Sequence, residues 1–183
     1  MVQKIVPCGV GLFGASSNQG VSVELFCESN CRFIGSGIAT AVSRANNGAG
    51  VLRRVQVSSR NSHNIYAKLK ETLLGGHLPP PVPVDAIRRE TLTQAFENAN
   101  AVVSLAGIQQ GSPVQFEQIQ SRSADNVARA AVAAGAKLMH VIVVLSGQSG
   151  TKALGEQTVL SRCPDAATIR SSFGIGLTMV PSM

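Results

Sequence analysis

One loop of this 183-residue chain has the residue types needed to hold a phosphate. A pyrophosphate binds where a loop enters a helix, because glycines let the backbone approach and the helix N-terminus supplies N–H groups and partial positive charge. Counted back from Gly35, the GxxGxxG spacing falls on Ser29, Arg32 and Gly35. The candidate cofactor-binding residues of this loop are Ser29, Arg32, Phe33, Ile34 and Gly35.

Two alternatives to this phosphate loop stay open. Only one of its three glycine positions is Gly, so an ordinary turn from strand to helix explains the loop equally well. The glycine-rich segment 9–20 (GVGLFGASSNQG) is a second candidate, although no helical pattern follows it. We therefore interpret residues 1–20 as an N-terminal arm.

Further candidates would complete a dinucleotide site around this loop. Arg60 follows the predicted second strand, where an acidic residue favours NAD and an arginine favours the 2′-phosphate of NADP. Asp85 follows the third strand, and the small pair Ala106-Gly107 follows the fourth and leaves room for a flat ring. Their plainer interpretations are a solvated loop arginine and simple turn residues.

The elements that would position these residues alternate between strand and helix. The predicted strands are 21–27, 51–58, 82–85, 101–105, 138–145 and 167–170, and the predicted helices are 34–45, 90–98, 123–134 and 151–161. The Pro- and Gly-rich stretch between the second and third strands is predicted to be an irregular surface excursion. This alternation predicts an α/β fold, a Rossmann-like doubly wound parallel sheet in a single domain over 21–183.

Composition and sequence pattern limit the kinds of partner and ligand that the chain is expected to bind. The net charge of +6 favours an acidic partner, but the basic residues form no stripe with interleaved aromatics, so nucleic acid is not expected. The four cysteines include no CxxC pair, which argues against a zinc site. No apolar run reaches the roughly 18 residues of a membrane span, and no presequence pattern is visible at the N-terminus.

Several segments, taken in order, resemble the extended and atypical short-chain dehydrogenase superfamily. They are FIGSGIATAVSRA, VQVSSR, AVVSLAGI, DNVARAAVAAGAKLMHV, TKALGEQTVL and ATIRSSFGIG, within residues 21–177. The last three are most similar to one branch, the NADPH-binding accessory subunits of mitochondrial respiratory complex I. The resemblance implies NADPH as a structural cofactor that this chain either keeps or has lost, and it implies that Lys152 holds the ribose.

The resemblance breaks down at the catalytic positions. Active members carry a Tyr four residues before this Lys, and here that position is Gln148, which cannot exchange a proton. The position of the serine that orients the substrate is Ile142, and Ser146 is displaced from it. Ser171 replaces an expected Pro, and the chain ends soon after the sixth strand, where relatives continue into a substrate-binding region. We therefore expect a truncated domain and assign no catalytic residue.

Three functions follow from these features. The favoured one is a non-catalytic accessory subunit of complex I, peripheral to the mitochondrial inner membrane on its matrix side, with other subunits of the complex as partners. The second is an active NAD(P)-dependent reductase or epimerase that uses an unusual acid such as His140 or Ser146. The third is a nucleotide-sensing or RNA-binding adaptor that uses the positive surface.

Overall fold

The fold is built on seven strands. The computed structural model describes residues 21–27, 53–63, 66–67, 80–108, 111–144, 149–172 and 175–180. The strands are β1 (Val21–Cys27), β2 (Arg53–Ser59), β3 (Val82–Pro83), β4 (Ala101–Leu105), β5 (Lys137–Val144), β6 (Ala167–Ser172) and β7 (Ile175–Val180).

These strands form one sheet in the order β3-β2-β1-β4-β5-β6-β7. The first six are parallel to their neighbours, and β7 pairs antiparallel with β6. A central order of 3-2-1-4-5-6 is that of a doubly wound dinucleotide-binding fold. The predicted Rossmann-like α/β fold is confirmed.

Among the described residues, four α-helices with defined bounds and one π-helical segment follow the strands, besides the helical residues 62–63 and 66–67. They are α1 (Arg89–Ala95), α2 (Pro113–Phe116), the π segment (Glu117–Arg122), α3 (Ser123–Ala133) and α4 (Ser149–Arg162). Helix α3 packs against both α1 and α4, so the three cover one face of the sheet. No helix in these described ranges is long and apolar enough to cross a membrane.

The core lies between this helical layer and the sheet. Val102 of β4 and Leu138 of β5 are register partners, and both belong to a buried cluster with side chains of the helices. Leu92 and Phe96 from α1 and its C-terminal end are fully buried in the same cluster. Since a fully buried side chain of this size contributes about 1.5–3 kcal/mol, this layer holds the helices against the strands.

The structure differs from the predicted elements in several places. The predicted third strand, 82–85, is shorter and ends at Pro83. The stretch after Arg60 was expected to be irregular, yet its residues 62–63 and 66–67 are helical. Helix α2, the π segment and β7 were not predicted at all. The predicted helix 34–45 and the arm 1–20 lie outside the described residues.

An ion pair ties α4 to β6. The Arg170 guanidinium donates to the Glu156 carboxylate, with Nη2–Oε2 at 2.5 Å and Nε–Oε2 at 3.0 Å. The side chain of Glu156 is only 7% exposed, whereas that of Arg170 is 51% exposed. The hydrogen bonds that Arg170 donates to Glu156, together with the negative charge of that carboxylate, raise the pKa of Arg170.

We expect Arg170→Met to lower the free energy of unfolding by about 1–2 kcal/mol, because it leaves a buried carboxylate without its cation. The loss is limited because the Arg170 side chain is half-exposed, so that water already screens the ion pair. Arg162→Met is the matched control: Arg162 pairs with Asp125 at 3.0 Å on the surface. It should cost no more than about 0.5 kcal/mol. Urea denaturation of both variants measures the difference, and equal losses would contradict the structural role of Glu156.

Candidate functional site

The carboxyl ends of the parallel strands meet at one edge of the sheet, called here the carboxyl edge. The strand order reverses beside β1, since β2 and β3 extend to one side of it and β4 to β6 extend to the other. In open α/β sheets a ligand binds in the crevice that such a reversal opens outside the strand ends. This crevice is the candidate nucleotide site.

Arg60 directly follows β2 at the carboxyl edge, and its side chain is exposed. Strand β3 lies beside it, because Ser59 of β2 is the register partner of Pro83. The N–H of Val84 then donates to the Ser59 carbonyl at 3.1 Å. Arg60 therefore lies at the carboxyl edge beside β3, and its contact with a 2′-phosphate stays a prediction.

Asp85 has a local role at the same edge. Its Oδ1 accepts a hydrogen bond from the backbone N–H of Ile87 at 3.1 Å. Its own N–H donates to the hydroxyl of Thr91 at 3.2 Å, and that hydroxyl donates to the Arg88 carbonyl at 2.7 Å. These bonds shape the turn that leads into α1. Formation of this turn thus explains the hydrogen bonds of Asp85, and a role of its side chain in adenine binding stays a prediction.

The loop after β4 leaves space at the crevice. Ala106 and Gly107 are half-buried. A Cβ placed on Gly107 would meet no atom of the described residues within 4 Å. Among the described residues, therefore, no atom blocks the space beside Gly107, and the placement of a flat ring there stays a prediction.

Gln120 joins this loop to α4. Its side chain is 4% exposed and lies in the π segment. Its Nε2 donates to the carbonyl of Ile108 at 3.1 Å, and its Oε1 accepts a hydrogen bond from the Thr151 hydroxyl at 2.5 Å. Because Thr151 precedes Lys152, this one amide sets the distance between the loop after β4 and the start of α4.

Sequence analysis did not identify Gln120, because the helix that carries it was not predicted. A signal was present in the sequence. Ser112 and Gln115 form a capping box, with Gln115 N–H donating to Ser112 Oγ at 3.3 Å and Ser112 N–H donating to Gln115 Oε1 at 2.8 Å. The pattern S-P-V-Q, with Pro113 in the first turn, is typical of a helix start.

Helix α4 approaches the π segment closely at a glycine. A Cβ on Gly155 would overlap the backbone carbonyl oxygen of Gln120, whereas a Cβ on Gly150 in the same helix would meet no described atom within 4 Å. Gly155 therefore allows the contact on which the Gln120–Thr151 hydrogen bond depends.

Lys152 lies in the first turn of α4 and is half-buried. Its burial lowers the pKa of the amine below the ordinary value. The amine of a lysine at this position can donate hydrogen bonds to a ribose hydroxyl or a phosphate. The role of holding the ribose, which the family resemblance implies for Lys152, stays a prediction.

His140 lies in β5 and is only 4% exposed. Burial lowers its pKa to about 4, although the nearby negative charge of Glu156 opposes the shift. The imidazole is therefore neutral near pH 7 and is shielded from solvent. These properties make it a poor general acid for substrate chemistry. Ile142, two residues further on, is buried at 6% exposure.

The predicted phosphate loop, Ser29, Arg32, Phe33, Ile34 and Gly35, lies outside the described residues. The same holds for Gln148 and Ser146. The structure therefore brings Arg60, the Ala106-Gly107 loop and Lys152 to the carboxyl edge, and the remaining site assignments stay predictions.

No protein-family model matches the sequence, and no curated protein matches it. Solved structures do match. The Pen protein of Bacillus thuringiensis has a TM-score of 0.68 and 18% identity, over 83% of this chain and 52% of that one. A short-chain dehydrogenase/reductase superfamily protein from Agrobacterium tumefaciens with bound NAD has a TM-score of 0.52 and 15% identity, over 81% of this chain and 48% of that one. An NADPH-dependent quinone oxidoreductase from Escherichia coli complexed with NADPH has a TM-score of 0.50 and 15% identity, over 82% of this chain and 47% of that one.

These likenesses establish the fold. At 15–18% identity they show a Rossmann-like architecture shared with short-chain dehydrogenase/reductase structures. The chain spans about half the length of each of these three proteins.

Proposed function

We propose that this chain is a short-chain-dehydrogenase-type domain that binds NADPH at the carboxyl edge of its sheet. The observation that carries the proposal is the reversal of strand order beside β1, with Arg60 directly after β2. An arginine at this position pairs with a 2′-phosphate, which NADPH has and NADH lacks. Structural neighbours with bound NAD and bound NADPH support a dinucleotide as the ligand class.

Within this proposal, the favoured role is that of a non-catalytic accessory subunit of mitochondrial complex I, on the matrix side of the inner membrane. The order of the KALGE-type helix and the strand that follows it supports this role, as does Gln148 in place of the catalytic tyrosine. The bound NADPH would then stabilise the domain without being oxidised, and its partners would be other subunits of the complex.

The second candidate is an active NADPH-dependent reductase. The neighbour described as a quinone oxidoreductase favours it, as does the half-buried Lys152 at the start of α4. His140 is unsuited to be the acid, so this candidate relies on Ser146 or on a proton supplied by water. The short-chain dehydrogenase likenesses favour this general class over the specific complex I role.

Arg60→Glu should weaken NADPH binding by roughly 10- to 100-fold, because a charge-assisted hydrogen bond to phosphate contributes about 1.5–3 kcal/mol. NADH binding should change much less, since NADH has no 2′-phosphate. Isothermal titration of both nucleotides measures the ratio. Arg122→Glu, an exposed arginine of the π segment, is the charge-matched control and should bind both as the parent protein does. Equal weakening of NADH and NADPH would refute the assignment of Arg60.

Two measurements separate the accessory subunit from the reductase. In a mild-detergent mitochondrial extract, the accessory subunit should migrate with NADH dehydrogenase activity at very large mass on a native gel. The purified protein should then oxidise no NADPH across a panel of quinones and carbonyl compounds. Migration as a free monomer together with substrate-dependent NADPH oxidation would establish the reductase instead.

A further inference from the structure

Two neighbouring positions of the sheet carry buried polar atoms that lack a hydrogen-bond partner among the described residues. They are Ser104 Oγ of β4 and His140 Nδ1 of β5. Ser104 is 0% exposed and His140 is 4% exposed, so bulk solvent does not reach either side chain. Nearly all buried polar groups of folded proteins are paired, either with another protein group or with an ordered water molecule. These two atoms therefore call for a partner.

The two side chains lie next to each other on one face of the sheet. Ser104 and His140 are register partners in parallel neighbouring strands. Val102 and Leu138 lie two residues earlier on the same strands, and both belong to the buried cluster beneath the helices. Because side chains alternate between the two faces of a sheet, Ser104 and His140 point toward the same helical layer. The negative charge of Glu156, a residue of α4, acts on His140, which agrees with this direction.

The spacing of the two strands suits a single water molecule. Neighbouring strands lie about 4.8 Å apart, so side chains at register-partner positions start at about that separation. A water with two hydrogen bonds of about 2.9 Å in tetrahedral geometry joins two atoms that are about 4.7 Å apart. Water can donate to or accept from both a hydroxyl and an imidazole nitrogen. The nearby buried carboxylate of Glu156 offers a further acceptor, and buried waters typically make about three hydrogen bonds.

We propose that Ser104 Oγ and His140 Nδ1 bind one ordered water molecule between the sheet and α4. This water would satisfy both atoms and would join β4 to β5 through their side chains as well as through their backbones. Ser123 of α3 differs, because its fully buried hydroxyl already donates to the backbone carbonyl of Ile119. The proposal is independent of nucleotide binding.

A crystal structure at a resolution that shows ordered water, of the parent protein and of Ser104→Ala, tests the proposal. In the parent protein one water should lie within about 3.2 Å of both Ser104 Oγ and His140 Nδ1, and it should be lost or displaced in the variant. Ser104→Ala should also lower the midpoint of urea denaturation, because the water loses a partner. If the hydroxyl were unpaired, its removal would instead raise the midpoint.

Nitrogen-15 NMR of the imidazole at neutral pH gives a measurement that a general loss of stability would not change. Ser104→Ala should shift the Nδ1 resonance of His140. Ser123→Ala is the matched control: it should lower the urea midpoint, through loss of the bond to Ile119, and leave this resonance in place. The inference is overturned if the crystal structure shows Ser104 Oγ bonded directly to His140 or to another side chain with no water between them. A raised urea midpoint or an unshifted Nδ1 resonance in Ser104→Ala would also overturn it.

Discussion

Gly155→Ala should lower the free energy of unfolding by about 1–3 kcal/mol, the usual cost of overpacking a tight contact. The added Cβ would overlap the backbone carbonyl of Gln120, and a backbone cannot move aside as a flexible side chain can. Helix α4 must therefore shift away from the π segment. The same shift should stretch the Thr151–Gln120 hydrogen bond and weaken NADPH binding.

Gly150→Ala is a closely matched control, because it makes the same substitution five positions earlier in α4. A Cβ there meets no described atom within 4 Å. Alanine has a helix propensity about 0.5–1 kcal/mol more favourable than glycine, so this variant should be as stable as the parent or slightly more so. Chemical denaturation of both variants gives the comparison. A Gly155→Ala protein as stable as Gly150→Ala would show that α4 does not need this close approach.

Stability should fall by about 3 kcal/mol between pH 6.5 and pH 4 because of His140. Burial lowers the pKa of His140 in the folded protein to about 4, from an ordinary value of 6.5. Between these values the unfolded chain binds a proton that the folded protein does not. The contribution of His140 is therefore fully present above about pH 6.5, is lost as the pH falls and levels off below about pH 4.

Replacing His140 with leucine should remove this slope, and urea denaturation across the pH range would measure it. Burial alone would raise the pKa of Asp125, but its hydrogen bonds to Arg129 and Arg162 outweigh burial and lower it below 3.8. The stability that Asp125 contributes is therefore lost at a lower pH than the stability that His140 contributes. His63→Gln, at an exposed position, is the control and should keep the slope of the parent protein. A slope that survives in His140→Leu would place its origin in another group.

The sequence was sufficient to predict the fold class because the parallel strands are apolar runs of regular spacing. β4 was predicted with its observed bounds, Ala101–Leu105, and β5 within one residue at each end. β3 was predicted too long because Asp85 belongs to the turn that leads into α1, where its N–H donates to the Thr91 hydroxyl and its carboxylate accepts from the Ile87 N–H.

The candidate site was predictable only where a residue follows a strand directly. Arg60 and Gly107 could be placed by counting from strand ends, since parallel strands share one carboxyl edge. Gln120 could not be placed in this way. Its position depends on the π segment, where one extra residue in a turn rotates all later side chains, and no apolar spacing reveals such an insertion.

The difference between the two edges of the sheet has a consequence for self-association. Within the described chain, the sheet ends on one side in β3, which has only two residues and includes Pro83. A short, proline-containing edge offers few unpaired N–H groups to an incoming strand. The opposite edge, β7, is six residues long and antiparallel. Strand addition and intermolecular β-aggregation of partly unfolded protein are therefore expected to begin at β7 rather than at β3.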